Sequence, residues 1–90
     1  MAHTGPQALA ALQPLIRQLR AIPQVREKQA GIFYLVGQAF VHFHDDGGKL
    51  FGDLKKASGM GFDRLAVDTA PDQRKFIDEA KRRATKLTDE

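Results

Sequence analysis

The chain has no cysteine, which excludes a disulfide, a thiolate nucleophile and a cysteine-ligated zinc site, and fits a reducing compartment. It has no apolar run approaching the length of a membrane span. Residues Met1 to Pro6 (MAHTGP) lack the basic start and apolar stretch of a secretion signal, so a cytoplasmic location and no membrane partner are expected. A strong charge bias is also missing. The formal net charge of +3 is carried as +3 over residues 1–28, −1 over 29–69 and +1 over 70–90. A nucleic-acid footprint is normally clustered and stronger, so nucleic acid is not the expected partner.

What is present is an ordinary mixture, 42% hydrophobic and 28% charged over 90 residues. That suits a single globular domain over residues 1–90 with room for one small core. Residues 1–6 are expected to be disordered and 88–90 frayed. Leu9, Leu12, Ile16 and Leu19 recur at helical spacing between Gln7 and Ile22. Pro14 interrupts that pattern and either kinks the helix or begins it, the strongest stretch being Pro14–Ala21. Pro23 ends it, and Gln24 to Ala30 reads as a polar connector.

The stretch Gly31–Leu54 (GIFYLVGQAFVHFHDDGGKLFGDL) reads as a three-stranded antiparallel meander. Gly37-Gln38 is taken as a type II′ hairpin loop, and Asp46-Gly47 as the second tip. That register places Ile32 opposite Phe43, His44 opposite Lys49, His42 opposite Phe51 and Phe40 opposite Asp53. Phe62–Asp68 alternates as a fourth strand. Thr69, Pro71 and Asp72 form a helix start, and the helix runs to about Lys86 with Phe76, Ile77, Ala80, Ala84 and Leu87 inward. The expected fold is α+β (α-β-β-β-β-α), a two-layer domain with a four-stranded antiparallel sheet.

Alternation sorts the meander onto two faces. Ile32, Tyr34, Val36, Ala39, Val41, Phe43, Leu50 and Leu54 make an apolar core face. Phe33, Leu35, Phe40 and Phe51 fall on the other, with His42, His44, Lys49 and Asp53. Aromatic side chains bury roughly 150–250 Å² each, so this second face would rival a monomer's largest apolar patch of about 300–600 Å². A second copy, a crossing helix or a ligand could cover it. The expectation is a non-enzymatic homodimeric module joined through Phe33, Leu35, Phe40 and Phe51.

His42 and His44 stand two apart on one strand, hence on one face, with Asp53 nearby and Asp45 at the turn. Two imidazoles and a carboxylate are a donor set for a divalent metal. The plainer reading is a histidine pair on a seam or rim, hydrogen-bonded to Asp53. No cofactor is therefore expected, and a metal or small-ligand site at His42, His44, Asp53 and Asp45 is the first rival. Asp45 to Gly48 lacks the acid spacing and distal glutamate of a calcium loop. Lys81, Arg82, Arg83 and Lys86 cluster late in the last helix and form the second rival, a nucleic-acid grip, although cations there also complement the helix dipole. Ser58-Gly59-Met60-Gly61 lacks the fixed lysine and hydroxyl of a phosphate loop, and Ser58 has no histidine partner, so nothing supports nucleophilic catalysis, and an enzyme is left open only for the metal or small-ligand reading of His42, His44 and Asp53.

The segment Phe40–Lys55, FVHFHDDGGKLFGDLK, resembles a family of small uncharacterised bacterial proteins with a core of the form F-x-H-F-H-x-D…G-x-L-F-x-D-L. The likeness spans about Gly31 to Asp68. It implies no activity, and it directs interest to His42, His44, Phe51 and Asp53, the positions that match the motif.

Overall fold

A computed structural model describes residues 5–89 of the chain. Residues 1–4 and 90 lie outside this range, and with them most of the expected terminal disorder and part of the expected fraying. Pro6 is already helical, and Thr88 closes the last helix.

The N-terminal pattern forms two short helices, α1 (Pro6–Ala11) and α2 (Gln13–Arg20), divided at Leu12. Pro14 begins the second and does not kink one long helix. It has no N–H to offer the carbonyl four residues back, and its ring crowds that carbonyl, whereas a first helical turn tolerates both. Leu12, Leu15, Ile16 and Leu19 are all buried. The connector is not a connector: Val25–Gln29 is strand β1. Strands β2 (Ile32–Leu35), β3 (Gln38–Asp46), β4 (Lys49–Lys55) and β5 (Phe62–Ala66) follow, and helix α3 (Ala70–Thr88) ends the chain. The Thr69 hydroxyl caps α3, accepting from the Asp72 amide at 3.2 Å.

The expected two-layer, four-stranded plan is thus corrected to an α+β fold with five antiparallel strands in the order β1-β2-β3-β4-β5 and helices at both ends. The fifth strand escaped notice because VREKQ has one inward apolar residue, Val25, which pairs with Leu35. No helix among the described residues is long and apolar enough to cross a membrane.

Both hairpins turn differently from the expected registers. The first loop is Val36-Gly37, both residues at positive φ (52° and 75°), and the second is Gly47-Gly48 (62° and 90°). Positive φ at both central positions is the type I′ turn, whose twist matches the strands. In the second hairpin this moves the pairing by an even step, so the faces are kept and His42 lies directly opposite Asp53, with His44 opposite Phe51.

The first hairpin differs more. Tyr34 pairs with Ala39 but Phe33 pairs with Val41, so Phe40 is the extra residue of a β-bulge. One extra residue exchanges the faces of everything beyond it. Phe33 and Leu35 turn to the core beside Phe40, Val41 and Phe43, while Ile32 and Tyr34 stay only partly buried on the opposite face. The expectation of an exposed patch is corrected accordingly: Phe33, Leu35 and Phe40 are core residues, and of the four interface candidates only Phe51 is on the open face.

Every fully buried strand residue lies on the helix-bearing side, where Phe76 of α3 sits over Gly52 and Leu9 of α1 over Gly31. A Cβ at Gly52 would lie 2.5 Å from Cε2 of Phe76. Gly52→Ala is therefore expected to lower unfolding free energy by about 1–3 kcal/mol, the usual cost of overpacking, as read from urea denaturation. An unchanged midpoint would mean that α3 does not press on β4 here. Val36 is a β-branched residue in the left-handed region, 74% exposed and with nothing to gain from packing. Val36→Asn is expected to stabilise the protein by about 1 kcal/mol, because asparagine tolerates that conformation; a loss of stability would contradict the turn assignment.

Candidate functional site

On the open face the side chains of three adjacent strands form one row, His42 on β3, Asp53 on β4 and Arg64 on β5. His44 stands two residues from His42 on the same strand, hence on the same face. The Nδ1 of His42 and Nε2 of His44 are 3.1 Å apart. His44 Nε2 lies 2.8 Å from Oδ2 of Asp53, and His42 Nδ1 lies 3.9 Å from that oxygen. Arg64 forks onto the carboxylate, donating from Nε to Oδ1 at 2.9 Å and from Nη2 to Oδ2 at 3.3 Å. The Asp53 side chain is 13% exposed, that of His44 24% and that of His42 33%.

The electrostatics follow from those contacts. Burial works to raise the Asp53 carboxyl, but the hydrogen bonds from Arg64 and His44 outweigh it and hold the group below its ordinary value. Burial pushes His42 below the ordinary imidazole value; the Asp53 carboxylate opposes the shift, and His44 and Arg64 add to it. Asp53 is therefore the anion and His42 a neutral imidazole at neutral pH.

Proton bookkeeping then exposes a shortage. An ionised carboxylate only accepts, so the proton between His44 and Asp53 sits on His44 Nε2. That same nitrogen faces His42 Nδ1, whose only nearby partners are it and an oxygen at 3.9 Å. Two nitrogens and one carboxylate oxygen thus converge on one point, the oxygen served by His44 and by Arg64 Nη2 and the His42 nitrogen by the His44 proton alone.

The other candidates are placed elsewhere. Asp45 pairs with Leu50 on the opposite side of the sheet, and its Oδ1 accepts the Gly48 amide at 3.0 Å, an Asx-type turn bond and not a ligand position. Arg83 is 12% exposed and is taken up by Glu79, Asp63 and the Lys55 carbonyl, fastening α3 to the sheet. Arg82 also pairs with Glu79. Of the helical basic cluster, Lys81 and Lys86 remain as exposed cations. A cavity of about 310 Å³ between β5 and α3 is lined by Leu65 and Phe76 with the paired Glu79 and Arg83. Asp72 and Lys75 complete its lining, on the helix-bearing side and away from the histidines.

Arg64 is the site residue that sequence reading missed. Alternation along FDRLA places it outward, but its row depends on the β4–β5 register, and the connection between those strands carries no turn dipeptide that fixes one. Phe62 was missed for the same reason; its ring lies 5.3 Å from that of His42.

Compared with family models, curated proteins and solved structures, the chain matches none.

A histidine held neutral by the fold contributes stability that is present above its unfolded pKa, near 6.5, and is lost as pH falls below it. In chelator-treated protein the melting temperature is thus expected to drop as pH falls below about 6.5, and His42→Asn to flatten that slope. Equal slopes in the two proteins would show that His42 is not held neutral.

Proposed function

We propose that the chain is a metal-binding module that takes one divalent transition-metal ion through His42 Nδ1, His44 Nε2 and Asp53 Oδ2. The observation that carries this reading is the convergence of two imidazole nitrogens and a carboxylate oxygen within 3.9 Å of one another. A divalent cation between them, taking the place of the His44 proton, would be met by a lone pair from each atom. With metal–nitrogen and metal–oxygen bonds of about 2.0–2.2 Å, the edges between tetrahedral ligands are about 3.3 Å. The three separations found here, 2.8, 3.1 and 3.9 Å, bracket that value.

The donor set is borderline in softness, which favours zinc, iron(II), cobalt(II) or nickel(II) over magnesium or calcium. Arg64 has the place of an outer-shell partner, holding Oδ1 at 2.9 Å and reaching Oδ2 at a longer 3.3 Å, so a lone pair of Oδ2 is still available to the ion. It also sets a positive charge beside the site, so the affinity expected is that of an exchangeable ion. Three protein donors on an open face leave coordination positions toward solvent for water or a small ligand.

Removing the metal with a chelator and adding back zinc or cobalt(II) is expected to raise the melting temperature. At a free metal concentration of about 100 times Kd the stabilisation is about 2.7 kcal/mol. His42→Ala/His44→Ala is expected to lose the shift and the cobalt(II) absorption bands, while keeping its circular dichroism. Equal shifts in both proteins, or none in either, would end the metal reading.

A further inference from the structure

The open face carries a second pattern that the His42, His44 and Asp53 cluster does not use. Alternation along the strands puts Arg26 and Lys28 on it at one edge, Lys49 at the hairpin end, Lys55 at the other end and Arg64 on β5. The acids on the same face are Asp46 and Asp53, and Asp53 is neutralised by Arg64. Among the described residues Arg26, Lys28 and Lys49 enter no ion pair, and Lys55 bonds only to the amide oxygen of Gln38, at 2.9 Å. Inside this cationic rim lie flat rings: Tyr34 beneath the Lys28 ammonium (4.9 Å), Phe62 beside Lys55 (5.7 Å), and Phe51 in the row of His44.

Charge decides what can cover such a face. A second copy docked on the same patch would set the four unpaired cations Arg26, Lys28, Lys49 and Lys55 against the same four, with only Asp46 to offset them, so a symmetric dimer is opposed by its own electrostatics. An anionic partner is favoured. Rings lying on an exposed antiparallel sheet, with cations at its edges, suit a polyanion whose planar groups are free to stack. A duplex has its bases already stacked, and a flat sheet cannot enter its grooves. We infer that the open face binds single-stranded nucleic acid, the rings of Tyr34, Phe51 and Phe62 receiving bases and Arg26, Lys28, Lys49 and Lys55 meeting phosphates. Sheets of comparable width stack two or three bases. This surface is distinct from the helical cluster, where Arg82 and Arg83 are consumed by Glu79, and it does not need a bound metal ion.

The test is fluorescence anisotropy with labelled oligothymidylate, oligouridylate and a duplex of matched length. All measurements contain chelator, so that failure here is separate from failure of the metal reading. Both single strands are expected to bind, the duplex at least about tenfold more weakly, and affinity to fall steeply between about 50 and 200 mM salt. The two single-stranded probes rank DNA against RNA. Arg26→Glu/Lys28→Glu, at exposed positions, is expected to weaken binding at least about tenfold. Phe62→Ala is expected to weaken it by about fivefold or more with the melting curve unchanged. Lys81→Glu/Lys86→Glu on α3 is the control and is expected to change it less than about threefold. The inference is overturned by no binding at about 50 mM salt, by equal affinity for the duplex, or by loss of binding only in the α3 variant. It is overturned equally if anionic phospholipid vesicles bind through Arg26 and Lys28 and oligonucleotides do not, or if the free protein sediments as a dimer that Phe62→Ala dissociates.

Discussion

Phe40 and Val41 are neighbours in one strand, and both are fully buried. Side chains alternate along regular β-structure, so two successive inward residues require the bulge that the pairing displays. This one irregularity decides which half of β2 is core. It brings Phe33 and Leu35 under the helices, against Phe40, and leaves Ile32 and Tyr34 on the far side. Without it the far side would carry the large apolar residues and would itself need covering. With it, the helix-bearing side collects Phe33, Phe40 and Phe76, the largest fully buried side chains, together with the leucines of the N-terminal helices. The far side is left with imidazoles, cations and a few half-exposed rings.

The helices and the sheet meet closely because β4 offers a glycine where α3 crosses. Gly52 leaves no side chain between its backbone and the Phe76 ring, and Phe43 fills the flank, 5.9 Å from that ring between centroids. Ion pairs then fasten the rim: Arg83 reaches Asp63 and the β4 backbone, and Arg20 joins Glu27 of β1, which also accepts the Gly31 amide. The Arg20 guanidinium is half exposed, so its pair contributes little energy, whereas the Arg83 side chain is largely buried where it bridges α3 and the sheet. No buried side-chain polar atom among the described residues lacks a partner. The fold is complete on its helix side without any ligand.

Much of this was legible in the residues. Thr69, Pro71 and Asp72 marked the last helix because a cap is a local device, readable from four positions. His42, His44 and Asp53 could be placed on one face even from a wrong hairpin tip, because the second turn is displaced by an even step and alternation survives even steps. The first hairpin was not legible in that way. Gly37 pointed to a II′ turn, yet the loop begins one residue earlier at Val36, a residue type that sequence reasoning would not place at positive φ. The bulge at Phe40 left only the trace of two adjacent apolar residues, which an alternating pattern also contains by accident. Strand β1 was missed because an edge strand with one inward residue has almost no period to detect.

Arg64 connects the two surfaces proposed for the open face. Its guanidinium holds Asp53 ionised, which a metal ligand requires, and its charge weakens any cation held there. A metal ion that folded the protein would need the opposite arrangement, a closed site with its ligands' charge undiluted. Among the described residues the nineteen buried apolar side chains form one cluster on the other side of the sheet, away from His42, His44 and Asp53. The binding proposed for the open face is thereby separate from the packing: its histidines, cations and rings lie apart from the core beneath. The sheet between them has one face given to packing and one open to solvent.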